Sequence, residues 1–259
     1  MPRLWILRLT NCLTRKRGEK MRVLVACEES QEVCKAFRAR GHEAYSCDLQ
    51  ECSGGHPEWH IIGDCLPILN GNCRFTTDDG SNVSINGKWD LIIAHPPCTY
   101  LTCTGNAWFS VDKYGDKARK RYSDREEAFK FFMKFVNVDC EHIAIENPIG
   151  YVSTHYRKPD QIIQPYQFGE DARKATCLWL KGLNLLKPTN IIKYTLVKTG
   201  HGTDSPWHAY TWSLPKEERA KARSKTFPGI AKAMADQWGN CLRIDHQITF
   251  DELINKKAG

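Results

Sequence analysis

A cysteine that follows two prolines at the end of an apolar strand is the position in this chain best placed for covalent chemistry. Trp89 to Ala94 (WDLIIA) reads as a strand that runs straight into His95-Pro96-Pro97-Cys98. Proline fixes φ and removes an N–H donor, so the pair makes a stiff, irregular exit that holds the thiol in one place. A nucleophilic cysteine needs thiolate character and access. One cysteine among twelve says little by itself; the strand and the two prolines single out Cys98. A second apolar strand, residues 142–146 (HIAIE), ends on Glu146 and is followed by Asn147-Pro148. An unpaired carboxylate is costly in such a place, which predicts a raised pKa and a role as proton donor. Two earlier strands also end in acids. Asp48 lies roughly 20 residues beyond the first strand–helix turn, where a carboxylate can accept both hydroxyls of a ribose. Asp64 can accept from an adenine amino group or, alternatively, cap a following helix.

These positions require a frame. Residues 22–27 (RVLVAC) suit a buried parallel strand. From Gln31 to Arg40, Val33, Ala36 and Phe37 recur at helical spacing until Gly41 stops the helix. Residues 43–48 (EAYSCD) form a second strand, completing a β–α–β unit. His60 to Asp64 predicts a third, short strand, and residues 70–87, rich in Asn, Gly, Asp and Thr, a surface loop or hairpin. Residues 99–122 show no clear period and read as a loop. Residues 123–138 predict an amphipathic helix with Ser123 as N-cap, Glu126 completing a capping box, and Phe129, Phe132, Met133 and Val136 as its apolar face. Ile162-Ile163 and Thr176–Leu180 predict strands, Glu217–Arg223 a charged helical piece, and Ile230 to Trp238 a late helix. The fold class expected is α/β, a doubly wound, mostly parallel sheet. In such sheets ligands bind beyond the carboxyl ends of the strands, so Cys27-Glu28, Asp48, Asp64, Cys98 and Glu146 should share one side.

The 259 residues can bury one substantial core, or a core and a small lobe. No apolar run approaches the roughly 18 to 20 residues of a membrane span, so no membrane partner is expected. The net charge is +7, but the first 20 residues carry six basic residues against one acid, which leaves +2 for the rest. The body alone does not read as a nucleic-acid binder. Residues 1–20 read as a basic extension translated from an early start, with a disordered arm as the alternative. The twelve cysteines contain no CxxC pair, which predicts a reducing cytoplasm and no disulfides. Cys52, His56 and His60 would share a helix face, but Gly54, Gly55 and Pro57 forbid a helix there, and no metal site is expected.

In motif order over about residues 21–240 the chain resembles the cytosine-5 DNA methyltransferases, in particular short, diverged members of phage and prophage type. Pro96-Pro97-Cys98 resembles the family's nucleophile motif, and Glu146-Asn147-Pro148 its Glu-Asn-Val motif with Pro in place of Val. The resemblance implies a class I S-adenosylmethionine-dependent methyltransferase-like core over 21–180, a small target-recognition lobe over 181–222, and a segment over 223–259 that returns to the core. It implies S-adenosylmethionine as cofactor, held by Cys27, Glu28, Ser30, Gln31, Asp48, Asp64, Pro96 and Ser224. The implied partner is duplex DNA with one base flipped out, bound by a monomer in the cytoplasm of a bacterial or phage-infected cell. Cys98 would add to C6 of cytosine and Glu146 would assist at N3. Arg173 or Lys174 would hold the base carbonyl and the thiolate. Residues 99–122 would be the mobile catalytic loop, with Lys113, Lys117, Arg119, Lys120 and Arg121 on phosphates. The departures are a first turn, Cys27 to Gln31, without the family's glycines, and Ala94-His95 before the prolines. They keep two alternatives in view: the same chemistry on a free nucleotide, RNA or a modified base, and an inactive nucleic-acid-binding relative.

Overall fold

Short strands of consecutive apolar residues need cover on both faces, and this chain meets the need with one seven-stranded sheet between two layers. The computed structural model describes residues 20–200 and 202–241; expectations that fall on 1–19 and 242–259 lie outside the described residues. In chain order the elements begin with β1 (Arg22–Ala26), α1 (Glu32–Arg38), β2 (Glu43–Asp48) and β3 (His60–Ile62). The hairpin β4 (Cys73–Thr76) and β5 (Asn82–Ile85) follows, then β6 (Leu91–Ala94), the single turn α2 (Val111–Tyr114) and the long α3 (Asp116–Val136). Next come β7 (Ile143–Pro148), the turn α4 (Val152–His155), β8 (Gln161–Ile163) and β9 (Thr176–Lys181). A second hairpin, β10 (Val197–Thr199) and β11 (Gly202–Asp204), leads to α5 (Pro206–Ser213), α6 (Lys216–Ser224) and α7 (Pro228–Cys241).

The sheet order is β3-β2-β1-β6-β7-β9-β8. The first five strands pair in parallel, and β9 runs antiparallel between β7 and β8. This is the doubly wound, mostly parallel α/β architecture expected of a class I methyltransferase-like core. Side chains alternate between the faces along each strand. Val23, Val25, Leu91, Ile93 and Ala144 meet α1 and α7, with Phe37 and Trp238 fully buried there. Leu24, Ala26, Ile92, Ile143 and Ile145 face the opposite layer, where Phe132 and Phe135 of α3 pack.

One boundary differs from expectation. The helix expected over 123–138 begins seven residues earlier, behind Gly115, so Ser123 is neither an N-cap nor part of a capping box with Glu126. The extra turns were hidden because only Ala118 is buried among residues 116–122, which leaves no apolar stripe to read. Arg125 is buried by stacking: its guanidinium lies 3.4 Å from the Phe109 ring centroid and hydrogen-bonds to the Tyr100 carbonyl and Asn106.

Candidate active site

The β6–β7 ladder fixes the centre of the site. Its parallel register pairs Ile92 with Ile143, Ile93 with Ala144 and Ala94 with Ile145. One further step along both strands sets His95 beside Glu146, both on the α1/α7 face by alternation. The contact is formed: His95 Nδ1 lies 3.2 Å from Glu146 Oε2, and the two side chains are 8% and 17% exposed. Asn147, turned to the other face and 1% exposed, donates its Nδ2 to the Pro96 carbonyl at 2.8 Å. The tip of β7 therefore grips the Pro-Pro exit of β6. Cys98 follows at the exposed rim, its carbonyl accepting from Leu101 and Thr102.

Electrostatics link these groups. Desolvation of the sulfur and the negative charge of Glu146 push the Cys98 thiol above its ordinary range, while Lys174 acts in the opposite sense. Burial also pushes the Glu146 carboxyl up, but the His95 hydrogen bond and the Lys174 and His95 charges outweigh it, and the carboxyl is held below the usual range. This corrects the expectation of a raised pKa: the acid has partners that the strand pattern alone could not reveal. Of the two basic candidates, Lys174 is the one whose charge acts on Glu146 and Cys98, and it donates Nζ to the Arg223 carbonyl at 2.7 Å. Arg173 turns away, its guanidinium over the Tyr194 ring at 5.3 Å.

The β1–α1 turn keeps a glycine-like backbone without glycine. Cys27 and Gln31 both take left-handed φ, 59° and 61°, a conformation that costs non-glycine residues and concentrates at functional sites. Several side chains expected to face a cofactor point inward instead. The Glu28 carboxylate is 4% exposed and accepts from the Val33 and Cys34 amides at 2.7 and 3.2 Å. Burial raises its pKa, against the His95 charge and those two amides. Gln31, fully buried, donates to Ser46 and the His56 carbonyl and accepts from the His56 amide. Ser30 is buried. Cys27 is half-buried; its hydrogen bond with Cys65 and its burial push the thiol well up. Pro96 is buried at the strand exit. Ser224 Oγ donates to the Lys221 carbonyl within α6.

Beside Glu28, three more acids stand at the carboxyl ends of β1 to β3. Asp48 and Asp64 each use Oδ1 to accept a local amide, from Gln50 and Leu66 respectively; for Asp64 that is the capping alternative, made to a short 3₁₀ turn. Glu29, which sequence reasoning passed over, is 5% exposed with neither carboxylate oxygen hydrogen-bonded. Its nearest cation is Lys221 of α6, at 3.9 Å. Unsatisfied buried polar atoms are uncommon and call for a cause. Those of Glu29, His95 Nε2, Asn147 Oδ1 and Arg223 Nη2 belong to residues at the strand tips or on the α6 helix tied to them. An aromatic cavity of about 470 Å³ opens beside this region, lined by Glu32, Trp207, Tyr210, Lys221 and Phe227 among others; neither Cys98 nor Glu146 lines it.

The segment after Cys98 is partly ordered rather than a free loop. Leu101 to Cys103 bond to Ile149 to Tyr151. Arg121 is spent on this packing, over the Tyr100 and Phe109 rings and on the Thr99 carbonyl, which corrects its assignment to phosphate. Arg119 and Lys120 pair with Asp116 and Asp124, whereas Lys113 and Lys117 are exposed. Of the aromatic residues in 181–222, Tyr210 and Trp212 are exposed, while Trp207 packs on Phe227. No helix among the described residues is long and apolar enough to cross a membrane, and no group of metal-binding side chains occurs among them.

No protein-family model matches the chain, and no curated protein is significantly similar to it. Among solved structures, a methyltransferase of Entamoeba histolytica is similar to it at 11% identity and a TM-score of 0.37, over 69% of this chain and 58% of that one. This chain thus spans less than two thirds of that protein's length. The fold assignment rests on strand order and helix placement.

Proposed function

We propose that the protein is a methyltransferase acting at C5 of cytosine in DNA, with Cys98 as nucleophile and Glu146 as the acid at N3. The observation that carries this reading is the placement of Cys98, Glu146 and Lys174 at the tips of neighbouring strands β6, β7 and β9, with the charges of Glu146 and Lys174 both acting on the thiol. A thiol and a carboxyl held by adjacent strand tips can address two atoms of one planar ring.

Cys98 must lose its proton to add to C6, and Lys174 stabilises the thiolate that results. Addition drives electrons toward N3, where a proton delivered through Glu146 prevents charge from accumulating on the ring. Asn147 keeps the Pro-Pro exit, and hence the sulfur, in place. The residues present fit S-adenosylmethionine: Asp48 offers an acceptor for ribose hydroxyls, Asp64 for an amino group, and Glu29 a buried carboxylate without hydrogen bonds for an ammonium. When bound, that cofactor supplies an electrophilic methyl group. Lys113 and Lys117 are the cations of the 99–122 segment best placed for phosphates.

Incubation with labelled S-adenosylmethionine and duplex DNA, single-stranded RNA or free cytidine nucleotides tests the reading. Label in 5-methylcytosine of DNA, lost in Cys98→Ser, is the expected result. Label confined to RNA or nucleotide would replace the substrate and keep the chemistry. No label on any substrate, or full activity in Cys98→Ser, would refute it.

A further inference from the structure

His95 is the one departure next to the nucleophile motif that the proposed chemistry leaves unused. Its Nδ1 lies 3.2 Å from the Glu146 carboxylate at the tip of β7, and its charge acts on Glu28 at the tip of β1. Nε2 is buried with no hydrogen bond. The backbone amide of His95 bonds to the Ala26 carbonyl at 2.9 Å, so the ring is fixed by the β1–β6 ladder as well as by its own burial. Glu28 is committed to the α1 amides, and the charge of Lys174 acts on Glu146 and Cys98.

A carboxyl that this environment keeps ionised has no proton of its own to give. A neighbouring imidazole can hold one. We propose that His95 is the positioning residue of the acid: it fixes the Glu146 carboxyl through Nδ1 and stores the proton that Glu146 passes to N3 of the bound pyrimidine. This rests on the reading of Glu146 as the N3 acid. In the step, the Cys98 thiolate pair forms the S–C6 bond and the C5–C6 π electrons shift through the ring toward N3. The imidazolium gives its Nδ1 proton to the Glu146 carboxylate, and the carboxyl so formed gives a proton to N3. The pair ends as neutral His95 and carboxylate, and the adduct is neutral. Once C5 carries the methyl group and loses its proton to water, the C5–C6 double bond re-forms, Cys98 leaves as thiolate, and N3 returns its proton to the pair.

His95→Gln and His95→Ala separate positioning from proton storage, because glutamine can still donate to Glu146 but cannot carry the proton. Single-turnover methylation is followed against pH, together with covalent trapping on DNA containing 5-fluorocytosine, where the C5 fluorine blocks release of Cys98. In His95→Gln a fall of about 100-fold or more in kcat is expected, with KM for DNA within about threefold and the alkaline limb of kcat displaced to lower pH. His95→Ala should lose more. Wild-type kcat and pH profile in His95→Gln would overturn the proposal, as would a loss that tracks thermal stability with the pH profile unchanged. A wild-type protein that neither methylates nor traps DNA would instead sink the functional reading. The carboxyl ¹³C titration of Glu146, assigned by its absence in Glu146→Gln, then decides the coupling. It should move to higher pH in His95→Ala, and an unmoved midpoint overturns the role given to His95.

Discussion

Removing the amide of Asn147 tests whether the tip of β7 holds the nucleophile in place. Its Nδ2 bonds to the Pro96 carbonyl at 2.8 Å. A carbonyl can only accept, so the amide orientation is fixed by chemistry. In Asn147→Ala the buried carbonyl loses its donor, worth about 1–3 kcal/mol. The variant also removes the unpartnered Oδ1, which offsets part of that loss and puts the expected destabilisation in the lower half of the range. Asn147→Asp keeps the shape but sets an acceptor against the Pro96 carbonyl, beside Glu146, and should destabilise more than alanine. Urea unfolding reads both. The catalytic consequence should exceed the stability loss, because a displacement of about 1 Å at a reacting atom can cost 100-fold in rate. Trapping on 5-fluorocytosine DNA should slow by that order in Asn147→Ala while global stability falls modestly. Equal stability of the aspartate variant and wild type, or undiminished trapping in the alanine variant, would refute the grip of β7 on the Pro-Pro exit.

Three other perturbations follow from the same geometry. Lys174→Met removes the charge that acts against desolvation at Cys98, so the pH midpoint of Cys98 alkylation should rise; an unchanged midpoint would show that Lys174 does not bear on the thiol. Glu28 has a raised folded pKa, so the folded state binds its proton more tightly than the unfolded chain. Its contribution to stability therefore falls as pH rises from the unfolded value through the folded one, and urea unfolding of Glu28→Gln should lack that slope. Gly150→Ala would place a Cβ 2.0 Å from the Leu101 carbonyl oxygen. It should cost about 1–3 kcal/mol as an overpacking substitution and slow trapping by detaching the segment after Cys98, and a variant neutral in both assays would count against that tether.

What could be read from the sequence was what depends on local periodicity. The apolar runs of β1, β6 and β7, and Glu28, Cys98 and Glu146 at or just beyond their ends, are visible because burial on both faces demands unbroken apolar residues. The start of α3 was not, because only one residue of its first two turns, Ala118, is buried. Nor was the inward turn of Glu28 and Gln31, whose partners lie on α1 and in the segment around His56. His95 was visible only as a mismatch with a family motif. Its role depends on the β6–β7 register, which one strand read alone does not contain. Glu29 carried no signal beyond its place in a turn; only burial without hydrogen bonds marks it out.

The site's geometry is therefore inherited from its core. Shifting one strand by a single residue sends every side chain to the opposite face. In the β6–β7 ladder that slip would bury the wrong members of Ile92, Ile93, Ile143 and Ala144, so hydrophobic burial enforces the register. The same register, carried one step past the last core pair, sets an imidazole against a carboxylate on one face. On the other face it leaves an amide to hold the proline exit. Strand tips in such a sheet are thus more than convenient places for functional groups. Because the ladder beneath them cannot slip, two side chains from segments 51 residues apart can be held at hydrogen-bonding distance without a loop to adjust them.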